Sequence, residues 1–154
     1  MTDIVDKETR SRMMSGIRST NTKPEVLIRS LLHRSGFRFR IHVKTLPGKP
    51  DIVLPKHHAV IFIHGCFWHG HDCHLFKLPA TRTEFWQTKI DRNRHNDRLA
   101  LEALQKAGWR VATIWECVLR GKLRISEESI IDQLSTWLQS TADSLELRGN
   151  PPAI

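Results

Sequence analysis

Between His64 and His74, eleven residues (His-Gly-Cys-Phe-Trp-His-Gly-His-Asp-Cys-His) hold two cysteines and four histidines, and the last cysteine of the chain, Cys117, stands far downstream. Thiolates and imidazoles are the ligands zinc prefers, and four of them closing a tetrahedron make a structural site. Such a site obliges the loop around Cys66 to meet the chain at Cys117, and it excludes any fold that keeps them apart. A set of Cys66, Cys73, Cys117 and one histidine uses every cysteine. Spacing leaves His69, His71 and His74 open as the fourth ligand. Three cysteines make a poor disulfide framework. The N-terminal MTDIVDKETRSRMM lacks the apolar stretch of a signal peptide, and no apolar run is long enough to span a membrane. The expectation is a cytoplasmic setting without membrane attachment, where thiols stay reduced and clustered cysteines bind metal.

The rest of the chain reads as one domain. Residues 1–20 form a polar, basic arm, 21–140 the folded unit and 141–154 a flexible tail. Thr22-Lys23-Pro24-Glu25 is a helix start: Thr22 caps, Pro24 lacks only a hydrogen-bond donor the first turn does not use, and Glu25 suits a capping box. Leu27, Ile28, Leu31 and Leu32 then share one face, and Gly36 suits the stop. Residues 37–43 alternate apolar with polar, which predicts a strand. Two short strands follow at 51–54 and 59–63 about a turn at Pro55–His58. Residues 64–82 read as irregular. A long helix is expected from Thr83 to Ala107, a strand over 109–115, and a last helix capped by Ser126 that buries Ile130, Ile131, Leu134, Trp137 and Leu138. This order suggests an α/β fold, a mixed sheet flanked by helices.

Twenty-four Lys and Arg against sixteen Asp and Glu leave a net charge of +8, a field that attracts a polyanion such as nucleic acid. One place on the chain suits hydrolysis of a phosphodiester. Asp51 opens a strand just after a Gly-Lys-Pro loop. In a hairpin about residues 55–58 it lies across from residue 62 or 63, where a carboxylate and backbone carbonyls make an oxygen site for magnesium. On its own, a Pro-Asp at a loop–strand junction is usually a turn, and Glu25 alone is usually a helix cap. His69 and Asp97 form a base-and-orienter pair only if the fold joins them.

Several motifs belong together: Asp6-Lys7-Glu8-Thr9-Arg10-Ser11, Pro-Gly-Lys-Pro-Asp at 47–51, His-Gly-Cys-Phe-Trp-His at 64–69, Pro-Ala-Thr-Arg-Thr-Glu-Phe-Trp at 79–86, Gly-Trp-Arg-Val at 108–111 and Trp-Glu-Cys at 115–117. Jointly they make the chain resemble the very short patch repair (Vsr) endonucleases of bacteria, over about residues 6–138. The resemblance implies a restriction-endonuclease-like fold of the PD-(D/E)xK type. It also implies magnesium-dependent nicking of one strand, 5′ of the thymine in a T·G mismatch left by deamination of 5-methylcytosine. Asp51 then matches the metal-binding aspartate, His69 the general base, Asp97 its orienting carboxylate and Glu25 an accessory acid. His64 matches a histidine near the scissile phosphate. Cys66, His71, Cys73 and Cys117 match the structural zinc ligands. Ile63 departs from the threonine usual in the family. That residue serves magnesium through its backbone carbonyl, which isoleucine retains.

The resemblance further makes Phe67, Trp68 and Trp86 an aromatic wedge that enters the duplex beside the mispair, where replacing lost base stacking costs least. Arg10, Arg12, Met13 and Met14 of the arm would lie against the opposite groove. The implied partner is double-stranded DNA with a T·G mismatch, bound by a monomer, with mismatch-repair proteins as candidate partners and the nucleoid as place of action. Two other readings compete: a zinc-containing DNA-binding module without catalysis, and a restriction-like nuclease for paired DNA. Asp51, His69 and Asp97 weigh against the first, and adjacent Phe67 and Trp68 against the second.

Overall fold

A computed structural model describes residues 22–71, 73 and 76–149. Three helices and four strands follow one another along the described chain as α1 (Lys23–Arg34), β1 (Ile52–Leu54), β2 (Ala59–His64), α2 (Thr83–Lys106), β3 (Arg110–Trp115), α3 (Glu127–Leu138) and β4 (Ser144–Leu147). The strands form one mixed sheet in the order β1-β2-β3-β4. β1 and β2 are an antiparallel hairpin, while β3 runs parallel to β2 and β4 parallel to β3.

Alternation along the strands sorts side chains onto two faces. Ile52, Leu54, Ala59, Ile61, Ala112 and Ile114 face one way and pack with Ile28, Leu31 and Leu32 of α1 and Ile130, Leu134, Trp137 and Leu138 of α3. Val53, Val60, Phe62 and Val111 face the other way and pack with Leu104 of α2. The sheet is therefore sandwiched between α1 and α3 on one side and α2 on the other, as a mixed sheet flanked by helices requires. The caps behave as read: Thr22 Oγ1 accepts from Glu25 N–H at 3.4 Å, and Ser126 Oγ from Ser129 N–H at 3.1 Å. No described helix is long and apolar enough to cross a membrane.

Two expectations need correction. Residues 37–43 are not a strand. Only Arg40 bridges to Val53, through paired backbone bonds of 2.8 and 2.9 Å. His42 takes a left-handed φ of 59°, which ends any extended run there. The expected flexible tail over 141–154 is also wrong for residues 144–147. They form β4 at the sheet edge, with Leu147 buried against the α1/α3 core. The Ser-Leu-Glu-Leu alternation that permits this is only four residues long.

Candidate active site and metal centre

The hairpin sets the first half of the site. Ile52 pairs with Ile61, which brings Asp51 to the end of β2 as expected. Asp51 N–H donates to Ile61 O at 3.1 Å, and its Oδ2 accepts from Ile63 N–H at 2.7 Å. Burial pushes the Asp51 carboxyl up from 3.8 to about 7. The Ile63 bond opposes that shift, the Glu25 carboxylate adds to it, and Arg29 and His69 oppose it. Glu25 comes from the first turn of α1. It is only 3% exposed and pairs with Arg29 one turn on, at 3.1 Å.

The second half comes from the loop after β2. His69 Nδ1 lies 2.5 Å from Asp97 Oδ2 on α2, joining residues that lie far apart in sequence. A carboxylate only accepts, so this bond puts the proton on Nδ1 and leaves Nε2 as the basic nitrogen. The His64 ring stacks on His69 with centroids 3.8 Å apart and planes 7° from parallel. Burial, then repulsion from His69, pulls His64 down from 6.5 to about 3, so it is a neutral imidazole. Its Nδ1 is buried without a hydrogen-bond partner among the described residues.

Glu25, Asp51, Ile63, His64, Phe67, Trp68, His69 and Asp97 all line one cleft. At about 1600 Å³ it exceeds the few hundred to about 1000 Å³ of a small-molecule pocket. Phe67 and Trp68 line it and pack with Trp86 behind them: ring centroids are 5.2 Å apart for Phe67 and Trp68, 5.6 Å for Phe67 and Trp86, and 5.9 Å for Trp68 and Trp86. Trp68 is 41% exposed, an unusual cost for so large an apolar ring unless something covers it in use. Lys89 Nζ lies 5.3 Å from the Trp68 ring and 5.8 Å from Trp86.

Cys66, His71, Cys73 and Cys117 place one donor atom each within 4.8 Å of all the others, a group able to hold a metal ion. His71 Nδ1 lies 3.5 Å from Cys66 Sγ and 3.7 Å from Cys117 Sγ, and its ring stacks on Trp115 at 3.9 Å. Of the three histidines left open by spacing, the fold brings His71 to the thiols and turns His69 to Asp97. His74 lies outside the described residues, as do Arg10, Arg12, Met13 and Met14. Burial pushes the Cys66 thiol well up and the Cys117 thiol up, and a metal ion bound there would displace their protons. Gly149 N–H donates to Cys117 Sγ at 3.2 Å, the sort of bond that steadies a metal-bound thiolate.

Sequence reading missed several supporting residues. Arg29 was legible as the i+4 partner of Glu25. Glu116, whose Oε1 accepts from Cys66 N–H at 3.3 Å, and Asn93 and Arg94, which donate to loop carbonyls, carried no local signal, because their partners are backbone atoms distant in sequence.

Known proteins resemble this chain along most of its length. The family model described as DNA mismatch endonuclease Vsr matches residues 2–75. The chain is 45% identical to the DNA mismatch endonuclease Vsr of Escherichia coli K12, over 96% of this chain and 94% of that protein. It is 48% identical to a type II nicking enzyme of Xanthomonas oryzae pv. oryzae, over 86% of this chain and 98% of that one. A type II nicking enzyme of Neisseria meningitidis serogroup A is likewise 48% identical, over 79% and 87%. By its motifs and by near full-length identity to these relatives, the chain belongs to the Vsr family of DNA mismatch endonucleases.

Proposed function

We propose that this protein is a magnesium-dependent endonuclease with a PD-(D/E)xK-type core that nicks one strand of duplex DNA, 5′ of the thymine in a T·G mismatch. The observation that carries the reading is one cleft lined by a largely buried Asp51, the His69–Asp97 pair, Phe67 and the exposed Trp68. Asp51 and the Ile63 carbonyl are the proposed magnesium donors, with Glu25 close by. Oxygen donors suit that ion, and a divalent cation bound there would favour the charged form of a carboxyl that burial raises to about 7. Magnesium bound there supplies Lewis-acid stabilisation of the charge that develops on the phosphodiester. His69, held in the right tautomer by Asp97, takes the proton of the attacking water at Nε2. Neutral His64, stacked on His69, stays uncharged when His69 becomes an imidazolium and so does not repel it. Its imidazole N–H is suited to donate to the scissile phosphate.

The Cys₃His group suits zinc, and with four protein ligands it leaves no open position for chemistry. Its role is to staple the loop that carries Phe67, Trp68 and His69. Phe67, Trp68 and Trp86 act as the wedge at the mispair, and residues 1–20 are the arm on the opposite groove. With magnesium, the purified protein should nick a T·G duplex and spare a matched T·A duplex, and equal cutting of both would refute mismatch recognition. Asp51→Ala should abolish nicking and keep DNA binding. Full activity in that variant would remove Asp51 from the site.

A further inference from the structure

Helix α2 meets the loop after β2 along one stripe, formed by Trp86, Ile90, Asn93, Arg94 and Asp97 at spacings of three and four residues. Four successive loop residues are each held by a different residue of that stripe. Phe67 packs on Trp86 at 5.6 Å, and Trp68 O accepts from Asn93 Nδ2 at 2.7 Å. His69 bonds Asp97 at 2.5 Å, and Gly70 O accepts from Arg94 Nη2. Gly70 shows how closely the two segments press together. Its φ is +60°, and a Cβ there would lie 2.6 Å from both Ile90 Cγ2 and Arg94 Nε, so only glycine lets the backbone lie on the helix. The zinc ligands follow directly at His71 and Cys73. The staple therefore fixes the far end of the loop, while α2 fixes the part that carries the base.

We propose that Arg94 is a positioning residue for strand cutting: its bond to Gly70 O draws the loop onto α2 and fixes His69 against Asp97. The inference rests on the reading of His69 as the base. Arg94 also lines the cleft, so contact with a DNA phosphate is the competing role. The structure favours positioning because the guanidinium is turned onto a protein carbonyl beside His69.

Two measurements on the full-length zinc-loaded protein decide it. In hydrogen exchange followed by mass spectrometry, Arg94→Ala should exchange the amides of residues 67–71 at least tenfold faster and leave β2 and β3 unchanged. In single-turnover nicking at saturating T·G duplex, the same variant should be slower by about ten- to a hundredfold, the scale expected of a misplaced catalytic group. Its Kd for the duplex should be unchanged. Arg94→Lys, which still donates to the carbonyl, should recover most of both effects. Unchanged exchange in the loop overturns the proposal. So does a loss confined to Kd with a salt dependence shallower by about one unit, the mark of a lost phosphate contact. If Arg94→Ala exchanges throughout the sheet it has unfolded, and Arg94→Met, which keeps an apolar stem and has no N–H donor, then carries both measurements. Wild-type protein that fails to nick T·G duplexes refutes the proposed function, while the exchange measurement still decides the grip of α2 on the loop.

Discussion

Asp51 is a carboxyl whose burial works against its charge. Desolvation raises it from 3.8 to about 7, so the folded chain holds this proton more tightly than the unfolded chain does. The contribution to stability is complete below about pH 4 and is lost as pH rises through about 7. Above that, the bare carboxylate weakens the fold by at most a few kcal/mol. Asp51→Asn removes this dependence. In urea unfolding without magnesium, the variant should overtake wild type as pH rises from 4 to 7, and the gap should then stay level. Magnesium at pH 8 should stabilise wild type and leave the variant unmoved. Equal stabilisation of both would place the ion elsewhere. The two neighbouring histidines separate as cleanly. His69→Ala should keep one zinc per chain and lose nicking by several orders of magnitude. His71→Ala should lose zinc and unfold at lower temperature, since its ring also stacks on Trp115. Zinc content and Tm of the two variants, measured side by side, reverse if the assignments are swapped.

At the level of elements, what was legible in the sequence had a local cause. The α1 and α3 starts were readable because Thr22 and Ser126 cap within three residues of themselves. The β1–β2 hairpin was readable because Pro55–His58 is a turn between two apolar runs, and with it came the meeting of Asp51 and Ile63. The alternation over 37–43 misled because period alone does not reveal the left-handed backbone at His42. Similarly, the pairing of His69 with Asp97, and of Cys117 with the loop, depends on how α2 and β3 cross the sheet. Cysteine economy hinted at the second pairing; residue chemistry named the first as possible, and the family resemblance alone gave a reason to join it. β4 was hidden because a short edge strand owes its stability to its neighbour. Val111 N–H bonds Asp143 O at 3.0 Å, Leu147 is buried against the α1/α3 core, and Gly149 reaches Cys117 Sγ. This strand thus links the end of the sheet to the Cys₃His group. Leu147→Ala should cost roughly 2–5 kcal/mol in urea unfolding. A chain ending at Asp143 should also release zinc faster to a chelator. Zinc retention equal to wild type in that shortened chain would leave β4 a purely structural edge.

For the whole molecule, the positive charge and the proposed aromatic wedge are separable forces. A net charge of +8 draws in any duplex, and phosphate contacts release counterions, so affinity for DNA falls as salt rises whether or not a mismatch is present. Aromatic insertion at a mispair involves no ion release, and its advantage comes from a base step that is already weakly stacked. The ratio of affinities for T·G and T·A duplexes should therefore stay nearly constant between about 50 and 200 mM salt, while both affinities drop by about 10³-fold or more if six or more phosphates are contacted. Trp68→Ala should lower the ratio without changing either slope, because Trp68 is an uncharged ring at the cleft side. Parallel binding titrations of wild type and variant across that salt range decide the matter. If the ratio fell with salt as steeply as the affinities, discrimination would be electrostatic and the wedge would not be its source. Parallel lines would instead assign capture of DNA to the charged surface and recognition of the mispair to the loop held between the Cys₃His group and α2.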